Sequence, residues 1–153
     1  LFIAGLQPTS RPDSTAGSLV ARLEEVRERI VLEWKMPVIL RIASCPATLP
    51  AALTQGLPLM VHDAIVNALK HGQPSRVSVD VQGEENRLRV VVSDDGRGFP
   101  FRGRYDDAEL AEMGAGPISL RARVAPLGGQ VTVESTTSGS RVEIDLPVGQ
   151  GGA

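Results

Sequence analysis

The stretch from Leu57 to His71 constrains the fold of this chain more than any other. Leu57, Met60, Val61, Ala64, Ile65, Ala68 and Leu69 recur at three- and four-residue spacing, the period of a helix that buries one side. Asp63, Asn67, Lys70 and His71 share the neighbouring side, because residues three and four apart are adjacent on a helix. Such a helix must lie against a sheet or other helices through its apolar stripe and keep a polar edge open. Gly56 and Pro58 are expected to delay or kink its start, so its regular part is placed at 57–71. Taken alone, the polar edge fits an ordinary solvated helix face, the commoner case. It also presents a carboxylate, a neutral amide oxygen and an ammonium, a set suited to a magnesium-bound phosphate compound.

Two further stretches shift that balance. Leu88, Val90 and Val92 alternate with Arg87, Arg89 and Val91, so 86–93 reads as a strand, and Asp94-Asp-Gly-Arg-Gly98 ends it in a turn that lets backbone approach a ligand. Asp94 is positioned there to accept a hydrogen bond from an amino group. Gly114-Ala-Gly116 then precedes an apolar-periodic stretch at 118–127, where unpaired backbone N–H groups favour an anion. A lone Gly-x-Gly is also what a loop needing positive φ contains. The order of all three stretches, with strands between them, makes an ATP site the stronger reading.

Elsewhere the pattern predicts a charged amphipathic helix over 19–34 with Leu19, Leu23, Val26, Ile30 and Trp34 on one side, and a strand over 36–43. Pro46 and Pro50 punctuate a turn, and further strands are expected at 76–81, 130–135 and 141–146. The segment 99–113 mixes Arg102, Arg104, Asp106, Asp107, Glu109 and Glu112 and reads as a solvated, mobile loop. With 153 residues, 42% apolar and 22% charged, the chain suits one globular domain. A net charge of −2 without a basic stripe argues against a nucleic-acid surface, and no apolar run is long enough to span a membrane. Cys45 is the single cysteine, so no internal disulfide forms; a small buried residue in a reducing compartment is expected.

The phrases Asn67-Ala-Leu-Lys-His71, Asp94-Asp-Gly-Arg-Gly-Phe99, Ile118-Ser-Leu-Arg-Ala-Arg-Val124, Leu127-Gly-Gly-Gln-Val-Thr-Val-Glu-Ser135 and Gly139-Ser-Arg-Val-Glu-Ile-Asp-Leu-Pro147 carry a resemblance over 36–147. The chain resembles the ATP-binding domain shared by DNA gyrase, the heat-shock chaperone, histidine kinases and the mismatch-repair ATPase, and within that group the nitrate-sensor type of two-component sensor kinase. The resemblance implies a two-layer α/β (α+β) sandwich of the Bergerat type, a mixed and mostly antiparallel sheet covered on one face by about three helices. It implies ATP with Mg²⁺ as cofactors, Asn67 holding Mg²⁺, Lys70 contacting phosphate and Asp94 on the adenine amino group, while for His71 a nucleotide contact and capping of the helix C-terminus through the dipole stand equal. Gly96, Gly98, Gly114, Gly116 and Ile118 would shape the pocket and its lid, and Asp63 would serve as the catalytic carboxylate beside Asn67. The implied partners are ATP or ADP, an upstream dimerisation and phosphoacceptor domain, and a response regulator. The domain is expected to be cytoplasmic, with a parent chain either free or membrane-anchored.

The chain departs from that pattern in the mixed charges of the lid segment 99–113 and at two single positions. Asp63 stands where the family usually has Glu, and one methylene less shortens the reach by about 1.5 Å, where roughly 1 Å of misplacement can cost a hundredfold. Pro117 stands where Leu is common; it suits a first helical turn but offers no N–H. Two rival readings follow: a nucleotide-binding or protein-contact module with a degenerate pocket, and a serine kinase of the anti-sigma-factor type. The stretch 1–8 resembles the end of a phosphoacceptor hairpin, with a connector to residue 18, the ATP-binding domain over 19–148 and a disordered tail at 149–153. His62-Asp63 matches the dipeptide that marks the phosphoacceptor in this kinase branch, yet Asn67 follows within about one helical turn. His62 is therefore expected to be structural or surface, and the acceptor to lie on another domain.

Overall fold

The computed structural model describes residues 13–46, 48–84 and 86–148, so the hairpin expected at 1–8 and the tail at 149–153 lie outside the described residues. Strand β1 (Asp13–Thr15) leads into helix α1 (Ala16–Trp34), followed by β2 (Val38–Ile42), β3 (Thr48–Pro50) and the long helix α2 (Ala51–Gly72). A hairpin of β4 (Val77–Glu84) and β5 (Arg87–Asp94) comes next, then β6 (Gly103–Tyr105), α3 (Asp107–Met113) and α4 (Ile118–Val124). A 3-10 turn over Ala125–Leu127 continues α4 before β7 (Gln130–Thr136) and β8 (Gly139–Pro147).

Six strands form one sheet in the order β2-β4-β5-β8-β7-β6, and β1 pairs with β3 in a separate two-stranded ribbon. Only β2 and β4 run parallel; every other pair in the sheet is antiparallel. Period-2 alternation divides the two faces. Val77, Val79 and Val81, Leu88, Val90 and Val92, Val131 and Val133, and Val142, Ile144 and Leu146 all point into the core. On the other face Arg41 pairs with Asp80 at 2.7 Å, Arg87 with Asp145 at 2.7 Å and Arg89 with Glu143 at 3.3 Å, as befits an antiparallel sheet wet on one side. Helices α1, α2 and α4 cover the apolar face, giving the two layers and the mostly antiparallel sheet that the sequence implies.

Helix α2 begins six residues earlier than expected. Pro58 lies inside it, where a missing N–H and a ring clash cost about 3 kcal/mol. Leu53, Leu57, Met60 and Val61 are all at most 2% exposed, and each such side chain contributes about 1.5–3 kcal/mol by leaving water, so tertiary burial outweighs the local penalty. Two expectations are corrected on α1 and the lid. Trp34, placed on the apolar side of α1, is 40% exposed, while Leu19, Leu23 and Ile30 fill the core. The segment 99–113 carries regular structure: β6 pairs with β7, and α3 opens on a reciprocal cap in which Asp106 accepts from the Glu109 N–H and the Glu109 side chain accepts from the Asp106 N–H. Most of its charged side chains are nonetheless exposed, as expected of a solvated surface.

Candidate nucleotide site

The polar edge of α2 faces the start of α4 across an open cleft of about 370 Å³. His62, Asp63, Asn67 and Lys70 line one wall, and Gly116, Pro117, Ile118 and Ser119 line the other. A second chamber of about 380 Å³ adjoins it, lined by Asn67, His71, Phe99, Pro100, Phe101, Met113, Ala115 and Gly116. A narrow crevice bounded by Asn67, Ala68, His71, Gly72, Asp94, Gly98, Phe99 and Ser140 leads from there to the end of β5. Asn67 borders all three spaces, and its side chain makes no hydrogen bond to another described residue. These volumes are of the order that small-ligand sites occupy.

Asp94 sits where β5 leaves the sheet, directly opposite Ser140 on β8. Its Oδ2 accepts the Ser140 hydroxyl and its Oδ1 accepts the Gly96 N–H at 2.8 Å. The turn after it is clamped to α2, because Arg97 donates its backbone N–H to the Gly72 carbonyl at 2.8 Å. A Cβ on Gly96 would lie 2.5 Å from that carbonyl, so only glycine allows the approach. Gly98 has φ +80°, and a Cβ there would lie 2.4 Å from the Thr136 carbonyl and 2.6 Å from Ser135 Oγ. Ser135 is buried and accepts the Phe99 N–H at 2.8 Å, which anchors the backbone of Phe99 where its side chain lines the crevice. Phe99 stacks on Phe101 at 5.2 Å, and Tyr105 meets Phe101 edge-on, giving the second chamber an aromatic wall. Asp95 anchors the same turn from the other side: the Ser75 hydroxyl and the Ser75 N–H bond to its carboxylate and hold it below the usual range.

Asp63 is not a free carboxylate. Its Oδ2 accepts from Arg123 Nε at 2.7 Å and from Ser119 Oγ at 3.2 Å, both on α4. The sequence reading missed this pair, although Ser119 and Arg123 are four residues apart and so share one face of α4. Arg121, the alternate arginine, turns the other way to Asp107 at 3.0 Å, and Asp107 also accepts the Val131 N–H, so α4, α3 and β7 are tied together. Lys70 and His71 are exposed, Ile118 is 61% exposed at the rim, and Gly116 lines both chambers. Gly114 caps the end of α3 with φ +62° and lines neither chamber. Pro117 sits just before the first helical turn of α4 rather than within it, so Ile118 and Ser119 keep their N–H groups at the rim. Cys45 is half-buried against the core, and burial raises its thiol pKa.

Residues 53–150 match the family described as histidine kinase-, DNA gyrase B-, and HSP90-like ATPase. The chain belongs to this ATPase family. Curated relatives include the signal transduction histidine-protein kinase/phosphatase UhpB of Salmonella typhimurium strain LT2, 31% identical over 95% of this chain and 27% of the relative. The nitrate/nitrite sensor protein NarX of Escherichia coli K12 is 30% identical over 88% of this chain and 21% of the relative. This ATPase domain thus spans about a quarter of the length of those relatives. Its fold matches the ATP-binding domain of PrrB from Mycobacterium tuberculosis at TM-score 0.69 and 21% identity, covering 92% of this chain and 99% of that one. It matches the histidine kinase domain of the blue-light activated kinase EL346 from Erythrobacter litoralis at TM-score 0.67 and 22% identity, covering 92% and 70%. The chain is an ATP-binding domain homologous to those of sensor histidine kinases.

Proposed function

We propose that this domain transfers the γ-phosphoryl of Mg-ATP to a histidine on a separate, upstream domain of a two-component sensor kinase, which then passes it to a response regulator. The observation that carries the reading is the meeting of three separated stretches of chain around Asn67: the polar edge of α2, the Asp94 turn and the start of α4. In this reading the base parts the walls of the crevice, which is closed to water-sized molecules here, to meet the Asp94 carboxylate, and the phosphates lie in the cleft between Lys70 and the first turn of α4.

The side chains at the cleft fit magnesium. Among the described residues no cluster of three or more His, Cys, Asp or Glu side chains forms a cage. Asn67 offers one oxygen ligand from a half-buried position, and Mg²⁺ characteristically completes its shell with substrate phosphates and water. Bound there, the ion would neutralise charge on the phosphate oxygens. Phosphoryl transfer otherwise asks chiefly for in-line positioning and charge stabilisation. Lys70 supplies a mobile ammonium to phosphate. Asp63 orients the incoming imidazole or takes its proton, as the imidazole nitrogen bonds to phosphorus and the bridging oxygen leaves with ADP.

Calorimetric titration of this chain with Mg-ADP tests the pocket. Binding in the native chain and its loss in Asn67→Ala are expected; no heat with the native chain overturns the reading in favour of a degenerate module. Incubation with Mg-ATP and an added phosphoacceptor domain should give an acid-labile phosphohistidine on that domain. An acid-stable product would instead indicate a serine kinase, and label on His62 would refute the separate acceptor.

A further inference from the structure

We infer that Arg123 is a positioning residue for the reaction, holding the Asp63 carboxylate toward the cleft from α4. The inference rests on the proposed role of Asp63 and deepens it. Both bonds that Asp63 makes, from Arg123 Nε and from Ser119 Oγ, fall on the same oxygen, Oδ2. Oδ1 makes no hydrogen bond to another described residue, and Asp63 lines the cleft while Arg123 does not. One oxygen is thus fixed from the α4 side of the cleft, and the other carries no bond to a described residue. An aspartate has only two side-chain torsions, so fixing Oδ2 fixes where Oδ1 points.

The arrangement bears on the shortness of the side chain. An aspartate reaches less far from α2 than a glutamate, and catalytic groups lose rate steeply when displaced by about 1 Å. A second element that pins the carboxylate in one rotamer removes the search over orientations that a free short side chain would undergo. The pinning element also forms the wall opposite Asp63: Gly116, Pro117, Ile118 and Ser119, four to seven residues before Arg123, line the cleft. A phosphate settling against that wall lies beside the same helix that orients the carboxylate. The contact is through Nε alone, not a two-pronged fork, so an ammonium at nearly the same reach can replace it. Side-chain exposure of 44% for Arg123 and 24% for Asp63 makes the pair a weak contributor to folding, so substitution should leave the domain intact.

The test is a double-mutant cycle in the intact sensor kinase that carries this domain, using Arg123→Ala, Asp63→Asn and the combination. Arg123→Ala should lower the autophosphorylation kcat by about ten- to a hundredfold with KM for ATP and the Mg-ADP Kd of the isolated domain unchanged. Arg123→Lys should recover most of the loss, and Arg123→Ala should cost nothing further in the Asp63→Asn background. Equal losses from Arg123→Ala in both backgrounds, or a loss confined to Kd or thermal stability, would overturn the inference. An Asp63→Asn kinase of wild-type rate is a different failure: it removes the carboxylate from the mechanism, and Arg123 has then nothing to position.

Discussion

The Ser140 hydroxyl on β8 donates to Asp94 Oδ2 at the exit of β5, and the two residues are direct cross-strand partners. The carboxylate is thereby oriented by the sheet itself, while Oδ1 is occupied by the Gly96 N–H of its own turn. Residues 46 positions apart in sequence share one hydrogen bond, and both line the crevice.

Substitution at this pair should separate orientation from recognition. Ser140→Ala removes one neutral donor worth about 1 kcal/mol and is expected to weaken Mg-ADP binding roughly fivefold. Asp94→Asn keeps an oxygen for Gly96 but presents an amide where the amino group should donate, costing about 1.5–3 kcal/mol or more than tenfold. Titration calorimetry on the two variants checks the order; equal Kd values would mean that Asp94 does not contact the base.

Magnesium dependence should vanish with Asn67. Chelation of the metal is expected to weaken ATP binding to the native domain by at least about tenfold, since charge on the triphosphate goes uncompensated. In Asn67→Ala the same chelation should have little further effect, read by the same titration with and without EDTA.

Gly98→Ala should destabilise the domain rather than merely the site. The backbone at φ +80° disfavours a Cβ by about 1–2 kcal/mol, and the new atom would also lie 2.4 Å from the Thr136 carbonyl. A loss of at least about 2 kcal/mol in urea unfolding is expected. Gly114→Ala has the same sign of φ but open space around it, so its loss should stay near the conformational term alone.

Acid should loosen the Asp94 turn through its neighbour. The Ser75 hydroxyl and N–H hold the Asp95 carboxyl below its ordinary value. A depressed folded value means that the stabilisation is full above the unfolded pKa and is lost as pH falls through the folded one, below about pH 4. Asp95 is almost fully solvated, so the effect is small. Thermal melts from pH 6 to pH 3 should show a shallower decline for Asp95→Asn than for the native chain.

Much of the fold was legible because its signals are local. The 3.6-residue stripe of α2, the period-2 strands β5, β7 and β8, and the glycines flanking Asp94 and Ile118 are all properties of neighbours in sequence. Charge alone hid the order in 99–113, where the Asp106–Glu109 cap was a readable motif but pairing of β6 with β7 spans some thirty residues. Pro58 misled for the opposite reason, since its local penalty is outweighed by burial that only packing creates.

The sequence by itself determined which candidate residues share a side and on which elements they ride, because helix and strand periods fix sidedness residue by residue. Tertiary structure alone decided what those residues touch. Asp63 meets Arg123 and Asp94 meets Ser140 only once α4 lies across α2 and β8 lies beside β5, contacts between segments 60 and 46 residues apart. Side-chain reach is a few ångströms, so such pairings follow from how the layers pack and from nothing in the spacing along the chain.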